Sequence, residues 1–286
     1  MLYYSTTQGT ARFSLLPRPC EEAFWFILPV IRPSNMSNMF VYDFPLSPKA
    51  RTYLKFEAIF KRVQDCAEVK TEAETMCLMR GLVDFIDLID GSGALKIDIG
   101  KDLDKLKQKL LAWQSYPDAD AGLLQELLEQ ISTSHQALNT FTRQRTVLQN
   151  DPVMESIKPR FLTPAGVNDF DTPLFIFWTH LSHEEKMQSV SKWVRELDCI
   201  RIPVQTILKL WRLCSDYQTR VATNGFMQET SEPCELIEIK YPQHVRGYPV
   251  VSGFQSNINV RFLPYTKGAP VGDITFELAY VRGGIG

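Results

Sequence analysis

Apolar residues recur at intervals of three and four along the first half of the chain, which is the spacing of amphipathic helices. In the segment 44–63, FPLSPKARTYLKFEAIFKRV, Ser47 suits the N-cap of a helix and Pro48 suits its first turn. The apolar side chains that fall on one side of this predicted helix are Tyr53, Phe56, Ile59, Phe60 and Val63. The segments that predict further helices are 72–90, 96–118 and 121–141.

The helix predicted at 121–141 carries a continuous apolar seam. Its positions are Leu124, Leu127, Ile131, Ser134, Leu138 and Phe141. Such a seam is typical of a helix that packs lengthwise against another helix. Two helices of this kind joined by a short loop form an antiparallel hairpin, and any part of the seam that stays exposed is available to a second copy of the chain.

The apolar period changes in the second half. The segment 166–182, GVNDFDTPLFIFWTHLS, is rich in aromatic and β-favouring residues and is bounded by turn formers, so it predicts a strand. Two amphipathic helices are expected next, at about 183–197 and about 203–221, the second of which begins at Pro203.

After Gly225 the apolar residues alternate with period two. In ELIEIKY the two isoleucines lie on one face, whereas Glu238 and Lys240 lie on the other. NINVRFLP likewise places Arg261 opposite three apolar residues, and DITFELAYV alternates in the same way. These segments predict antiparallel strands with one buried and one exposed face, separated by turns at YPVVSG and YTKGAPVGD.

Together the two periods predict an α+β fold with two domains. Residues 39–163 would form an N-terminal α-helical domain, a helix hairpin or bundle that dimerises. Residues 164–286 would form a C-terminal antiparallel β-strand domain with the two helices inserted. Residues 1–38 have no clear periodicity, and we expect them to be a disordered extension or the product of a misplaced start, with the genuine start at Met36 or Met39.

Composition and charge exclude several classes of protein. The chain has 286 residues, of which 44% are hydrophobic, so it can bury a large core, and its net charge of −2 argues against broad coating of nucleic acid. The apolar run at 23–31 is far shorter than the roughly 20 residues of a membrane-spanning helix, and Glu21 and Glu22 do not suit a secretory signal. Six cysteines without a CxxC pair indicate buried thiols in a reducing cytosol.

A line of basic residues follows the first predicted helix. At about 100° per residue, Arg51, Lys55 and Arg62 fall within about 40° of one another, away from the apolar face. Two interpretations stay open: a solvated helix flank, which is the common case, or a row of cations that receives an acidic partner.

The search for catalytic chemistry finds no enzyme signature. There is no Gly-rich loop between a strand and a helix, and no GxSxG motif. His180 and His183 form an HxxH pair, but a zinc site needs a third ligand, and a cap for the following helix explains the pair as well. A hydrolase that uses His180, His183 and Asp171 is the alternative function.

A third possible function is that of a nucleic-acid-binding adaptor that uses the basic line. The net charge disfavours it.

Several separated motifs, in order, resemble one known family. They are FPLSPKARTYLKFE, FDTPLFIFWTHLS, NGFMQE, YPVVSG and NVRFLP, and together they span roughly residues 40–280. The chain is similar in these motifs to the ZapD family of bacterial division-ring-associated proteins. The resemblance implies a dimeric, non-enzymatic cytoplasmic protein at the mid-cell division ring. It would bind the C-terminal tail of the tubulin-like GTPase FtsZ and cross-link its filaments, with no cofactor. From the residues themselves we expect no metal site, no nucleic-acid partner and no membrane insertion.

The resemblance also implies a set of binding residues. Arg51 and Lys55 match basic positions of the family's first helix, and Arg261 matches the Arg of its R-F-x-P strand. His180 matches the His after Trp178, where a structural role and a binding role both stay open. A flexible acidic tail suits such a basic groove.

The chain departs from the family pattern on the strand before Arg261, where Gln255 and Asn257 stand at positions that are basic in relatives. Lys158, Arg160 and Lys240 lie near the predicted strands in the sequence and are candidates to supply the missing charge, with Arg62 on the first helix.

Overall fold

A computed structural model of the protein describes residues 38–116, 119–142, 148–254 and 257–283. The expectations for the N-terminal segment before residue 38 and for Gln255 therefore lie outside the described residues.

The helical first half is confirmed. The first four helices coincide closely with the predicted segments, and the apolar seam of the fourth is fully buried against α3 and α8. The described part of the chain leaves none of that seam for a second copy. The helices are α1 Pro48–Cys66, α2 Glu72–Asp90, α3 Leu95–Trp113, α4 Ala121–Thr140, α5 Pro152–Ile157, α6 Pro173–Thr179, α7 His183–Glu196 and α8 Asp198–Leu213, with a 3₁₀ turn at Lys158–Leu162.

Helix α1 begins as its sequence predicts. The Ser47 hydroxyl accepts a hydrogen bond from the Ala50 N–H at 3.0 Å, and Pro48 occupies the first helical position. All five predicted apolar positions of this helix are buried.

The strands form two antiparallel sheets. A four-stranded sheet has the order β1-β4-β7-β2, and a three-stranded sheet has the order β3-β6-β5. The strands are β1 Met39–Pro45, β2 Tyr217–Ala222, β3 Phe226–Thr230, β4 Leu236–Pro242, β5 Gly247–Phe254, β6 Asn257–Pro264 and β7 Ile274–Val281. Helices and antiparallel strands together confirm the α+β class.

The four-stranded sheet lies between the helices and the three-stranded sheet. Ile237 and Ile239 of β4 face the three-stranded sheet and pack with Val260 of β6 in one apolar cluster. Leu236 of β4 and Val281 of β7 belong instead to the large helical cluster. One β strand therefore contributes to two cores, because side chains alternate between the faces of a sheet.

The segment 166–182 is not a strand, contrary to the prediction. Residues 173–179 form α6, which starts at Pro173, and Phe175 and Trp178 are buried three positions apart with their rings 6.0 Å apart. Aromatic residues favour strands only as far as they fit a half-buried sheet surface, and here a helical core buries them.

Three further predictions were wrong: the start of α8, its end, and the turn at YPVVSG. Helix α8 starts at Asp198 and contains Pro203, and the end of the predicted helix at 217–221 belongs to β2. The stretch YPVVSG, predicted as a turn, lies within β5. The Asn224–Gly225 turn has positive φ at both residues, as a two-residue β-hairpin requires, so strands must flank it on both sides.

Strand β4 does not have an exposed polar face. Glu238 is buried and Lys240 is largely covered, because the helices lie on the face that the alternation predicted to be solvated. Helices α6 to α8 likewise pack into the helical cluster, although the sequence grouped them with the strands. The division into domains at residue 163 stays a prediction.

Candidate partner-binding surface

Two cations on the first turns of α1 point to solvent. Arg51 and Lys55 are exposed, and neither forms an ion pair or a side-chain hydrogen bond with any described residue. Arg62, the third member of the predicted basic line, is engaged: its Nη1 lies 2.6 Å from Asp84 Oδ2 of α2. We call Arg51 and Lys55 the α1 cations.

A polar cluster fixes the start of α1. Lys49 Nζ lies 2.9 Å from Asp102 Oδ1 and 2.8 Å from Glu235 Oε1, and the Tyr53 hydroxyl donates to Asp102 at 2.9 Å. The Asp102 side chain is only 2% exposed, and this burial raises its pKa despite Lys49. Burial lowers the pKa of Lys49, but its bonds to Glu235 and Asp102 outweigh that and raise it. The Lys49 ammonium is therefore paired within the fold and is not available to a binding partner.

A second cluster clamps α1 to the four-stranded sheet. Arg212, at the end of α8, donates to both Glu57 oxygens at 2.7 and 2.8 Å and to Asp43 Oδ2 at 2.7 Å. Its Nε lies 3.8 Å from Glu238, which also accepts from Tyr217. Burial raises the pKa of Asp43, with the nearby Glu238 carboxylate adding to the effect and Arg212 opposing it. One guanidinium thus balances carboxylates from β1, α1 and β4.

Arg261 lies on the side of the three-stranded sheet that faces away from the core. It is exposed and has no ion pair with the described residues, and its guanidinium carbon lies 5.5 Å from the centre of the Phe226 ring. We call this side the outer face, formed by the alternate residues of β3 (226, 228, 230), β5 (248, 250, 252) and β6 (257, 259, 261, 263).

The inner face of the three-stranded sheet touches the segment just before α1. A Cβ placed on Gly253 of β5 would lie 3.4 Å from Leu46 Cδ2, one residue before the Ser47 cap. Gly253 pairs with the buried Ile258, so this contact lies on the side of the sheet opposite Arg261. The α1 cations and Arg261 are therefore exposed on different elements, with the four-stranded sheet between α1 and the three-stranded sheet.

The remaining candidate cations have carboxylate partners within the chain. Lys158 lies 3.1 Å from Asp87 and 3.3 Å from Asp90, and Arg160 lies 3.6 Å from Asp171. The Lys240 ammonium lies 3.3 Å above the Tyr217 ring and 3.8 Å from Glu238, with its side chain mostly buried. These residues present less free charge than the α1 cations.

The two candidate histidines lie at the ends of helices. His180 is the exposed C-cap of α6, and its Nδ1 lies 2.8 Å from the Ile176 carbonyl oxygen. His183 opens α7, which Ser182 and Glu185 cap reciprocally. Asp171 is held by Asn168 and Arg160. Over the described ranges, no group of three histidine, cysteine or carboxylate residues is arranged to hold a metal ion.

Comparison with known proteins decides the family. The family model described as "ZapD: Cell division protein" matches residues 54–261, which is most of the chain and extends from just before Lys55 to Arg261. The chain belongs to the ZapD family.

Curated relatives from several bacteria carry the name "Cell division protein ZapD". That of Aliivibrio fischeri is 30% identical over 246 residues, covering 86% of this chain and 99% of the relative. Those of Idiomarina loihiensis and Serratia proteamaculans are 30% and 27% identical, each over 86% of this chain. A role in cell division is thus the family's shared property. In the described part of the chain, none of the helices combines the length and apolar character needed to cross a bilayer.

Sequence reasoning on this ZapD-family chain missed the neighbours of its candidate cations. The motif NGFMQE contains Phe226, which the Asn-Gly turn places at the start of a strand beside Arg261. The Asn-Gly dipeptide followed by alternating residues was the available signal for this hairpin. Nothing local in the sequence could reveal that Asp102, Glu235 and Lys49 meet, since they come from three distant segments.

Proposed function

We propose that this protein binds the C-terminal tail of FtsZ through Arg51, Lys55 and Arg261, and that a homodimer cross-links FtsZ filaments in this way. One observation carries the proposal: the α1 cations are exposed without a carboxylate partner among the described residues, whereas Lys49, two residues before Arg51, is saturated. Cations that the fold does not use are available to an acidic partner.

The physical demand of such a partner favours a site with several cations. A disordered acidic tail loses conformational freedom on binding, and a single exposed ion pair contributes only about 0–1 kcal/mol. Arg51 and Lys55 stand four residues apart, so they project from one helix side and can engage carboxylates of the same peptide. Arg261, exposed on the outer face of the three-stranded sheet without a carboxylate partner among the described residues, supplies a third cation.

Cross-linking requires two tail-binding sites on one particle. A filament presents many tails, and a dimer carries two tail sites, so one dimer bridges two filaments with an effective affinity above that of either site. The protein would act without catalysis or cofactor, in the cytoplasm at the mid-cell ring. His180, Arg62, Lys158, Arg160 and Lys240 would support the fold rather than hold the tail, since each already has a partner.

Charge reversal tests the proposal. The double variant Arg51→Glu/Lys55→Glu should lose co-sedimentation with FtsZ filaments, because it turns two attractive charges into repulsive ones. The matched control is Lys101→Glu/Lys105→Glu, which reverses two exposed lysines with the same four-residue spacing on α3. Unchanged co-sedimentation of the α1 variant, or equal loss in the α3 control, would contradict the proposal.

A further inference from the structure

The outer face of the three-stranded sheet has a distinctive composition. Its described positions include no aspartate or glutamate, and Arg261 is the single charged residue among them. Three large apolar or aromatic side chains on this face are substantially exposed: Phe226 at 40%, Val250 at 42% and Tyr248 at 45%. Exposed apolar residues are ordinary when scattered, so their arrangement decides whether they matter.

These residues are contiguous. Phe226 of β3 and Val250 of β5 are the direct strand partners of Arg261 on β6, one on each side. Directly opposed side chains in an antiparallel sheet have their Cβ atoms about 4.5–5.5 Å apart. We call Phe226, Arg261 and Val250 the anchor row. Tyr248 and its partner Leu263 lie next along the same face.

The anchor row offers a cation and an apolar surface side by side. The Arg261 guanidinium lies over the Phe226 ring, which limits its freedom while its N–H groups find no carboxylate among the described residues. A planar guanidinium that is held in this way can bind a carboxylate at a low entropic cost. The apolar side chains beside it are already positioned on a rigid sheet, so a ligand that covers them gains apolar burial with little reorganisation.

We infer that the anchor row is the apolar anchor of the peptide site. An acidic peptide would place one apolar side chain across Phe226 and Val250 while a carboxylate within one or two residues of it pairs with Arg261. The inference rests on the proposed function, since the peptide is the FtsZ tail, and it adds a specificity rule. Acidity alone does not suffice for binding, because the peptide must carry an apolar residue next to its negative charge.

Charge complementarity supports a peptide of this kind over other occupants. The absence of aspartate and glutamate from the described outer face removes repulsion for an acidic ligand. A second copy of the same face would bring two Arg261 guanidiniums together, which is unfavourable.

Binding of a labelled synthetic peptide of the FtsZ C-terminal tail, followed by fluorescence anisotropy at several salt concentrations, tests the inference. Phe226→Thr and Val250→Thr keep strand-favouring residues but remove apolar surface. Each should weaken binding by about three- to tenfold while leaving the salt dependence unchanged. Arg261→Gln should weaken binding and also flatten its salt dependence, because it removes a charge.

Controls separate the anchor from general damage. Tyr116→Thr removes an aromatic ring that is 64% exposed just after α3, in the helical part of the molecule, so it should bind as the unsubstituted protein does. Phe226→Leu should retain most of the affinity. Replacing the tail's apolar residues singly with serine should reveal one whose loss weakens binding to the unsubstituted protein but adds little in Phe226→Thr, which is the signature of direct contact.

The outcomes distinguish the two claims. If the unsubstituted protein binds the tail and the Phe226 and Val250 variants bind equally well, the anchor is refuted while the proposed function stands. If the unsubstituted protein does not bind the tail at low salt, the proposed function fails and the anchor fails with it. Weaker binding of the Phe226 and Val250 variants with unchanged salt dependence, and no effect of Tyr116→Thr, supports the anchor.

Discussion

Neighbouring cations of one helix differ in what surrounds them. Lys49 and Arg51 lie two residues apart on α1, yet Lys49 touches Asp102 and Glu235 whereas Arg51 points to solvent. The difference follows from helical geometry, since two residues turn the side chain by about 200° to the opposite side. A lysine or arginine therefore becomes a binding residue only where the fold supplies no carboxylate, and sequence alone cannot tell the two cases apart.

The cluster around Arg212 gives a stability prediction at this scale. Arg212→Met leaves Asp43, Glu57 and Glu238 without their shared cation and should lower the free energy of unfolding by about 3–5 kcal/mol at pH 7. Burial already raises the pKa of Asp43 and Arg212 opposes this, so without Arg212 the pKa of Asp43 rises further and the folded variant takes up a proton there. The variant should regain stability as the pH falls from 7 toward 5. Urea unfolding at both pH values measures this.

Arg201→Met is the matched control for that variant. It removes an arginine from the same helix whose partner, Asp198, lies three residues away and is more exposed, so the cost should stay below about 1 kcal/mol. Equal losses in the two variants, or a loss in Arg212→Met that deepens as the pH falls, would show that the cluster does not hold the buried carboxylates as described.

At the scale of elements, short connections determine what each strand presents. The Asn224–Gly225 turn joins β2 to β3 and sets Phe226 beside Arg261. Gly225 has φ of +74°, and a Cβ there would lie 2.6 Å from Val271 Cγ1 and 3.1 Å from the Phe262 carbonyl oxygen. Both the backbone conformation and the space therefore require glycine at this position.

Comparing Gly225→Ala with Gly268→Ala separates the steric requirement for glycine from the backbone requirement. Gly225→Ala should destabilise the protein by about 2–4 kcal/mol, because it combines a strained backbone with a steric clash. Gly268→Ala is the control: Gly268 also has positive φ, +82°, but nothing lies within 4 Å of a Cβ there, so only about 1 kcal/mol is expected. Thermal unfolding compares the two, and equal costs would refute the clash with Val271.

Much of the fold could be predicted from the sequence, since helical periods were strong where helices pack on one another. The first four helices and the apolar faces of β6 and β7 agree with the structure. The prediction failed at 166–182, where aromatic residues serve a helical core, and at β4, where distant helices cover the face of Glu238. Strand β1 was missed although FVYDF alternates, because its pairing with β4 spans most of the chain.

The candidate surface was predictable only in part. Helical periodicity found Arg51 and Lys55, and strand alternation found the exposed Arg261. That Arg62, Lys158 and Arg160 are paired depends on contacts with Asp84, Asp87 and Asp171, which no local pattern encodes.

At the scale of the whole molecule, the proposed activity depends on many weak contacts acting together. The net charge of −2 means that the free cations act locally, within a molecule that does not attract anions as a whole. Salt should therefore affect cross-linking strongly, because the screening length of exposed charges falls from about 14 Å at about 0.05 M to about 6 Å at about 0.3 M. Light scattering of FtsZ polymers with the protein should fall steeply over this range, and undiminished scattering would contradict an electrostatic site.

Sedimentation of FtsZ polymers with this protein, using full-length and tail-deleted FtsZ side by side, tests the central claim most directly. We expect the protein to pellet with full-length polymers and to stay in the supernatant with tail-deleted polymers, since the α1 cations and Arg261 would have lost their acidic ligand. Equal pelleting with both forms of FtsZ would contradict the account.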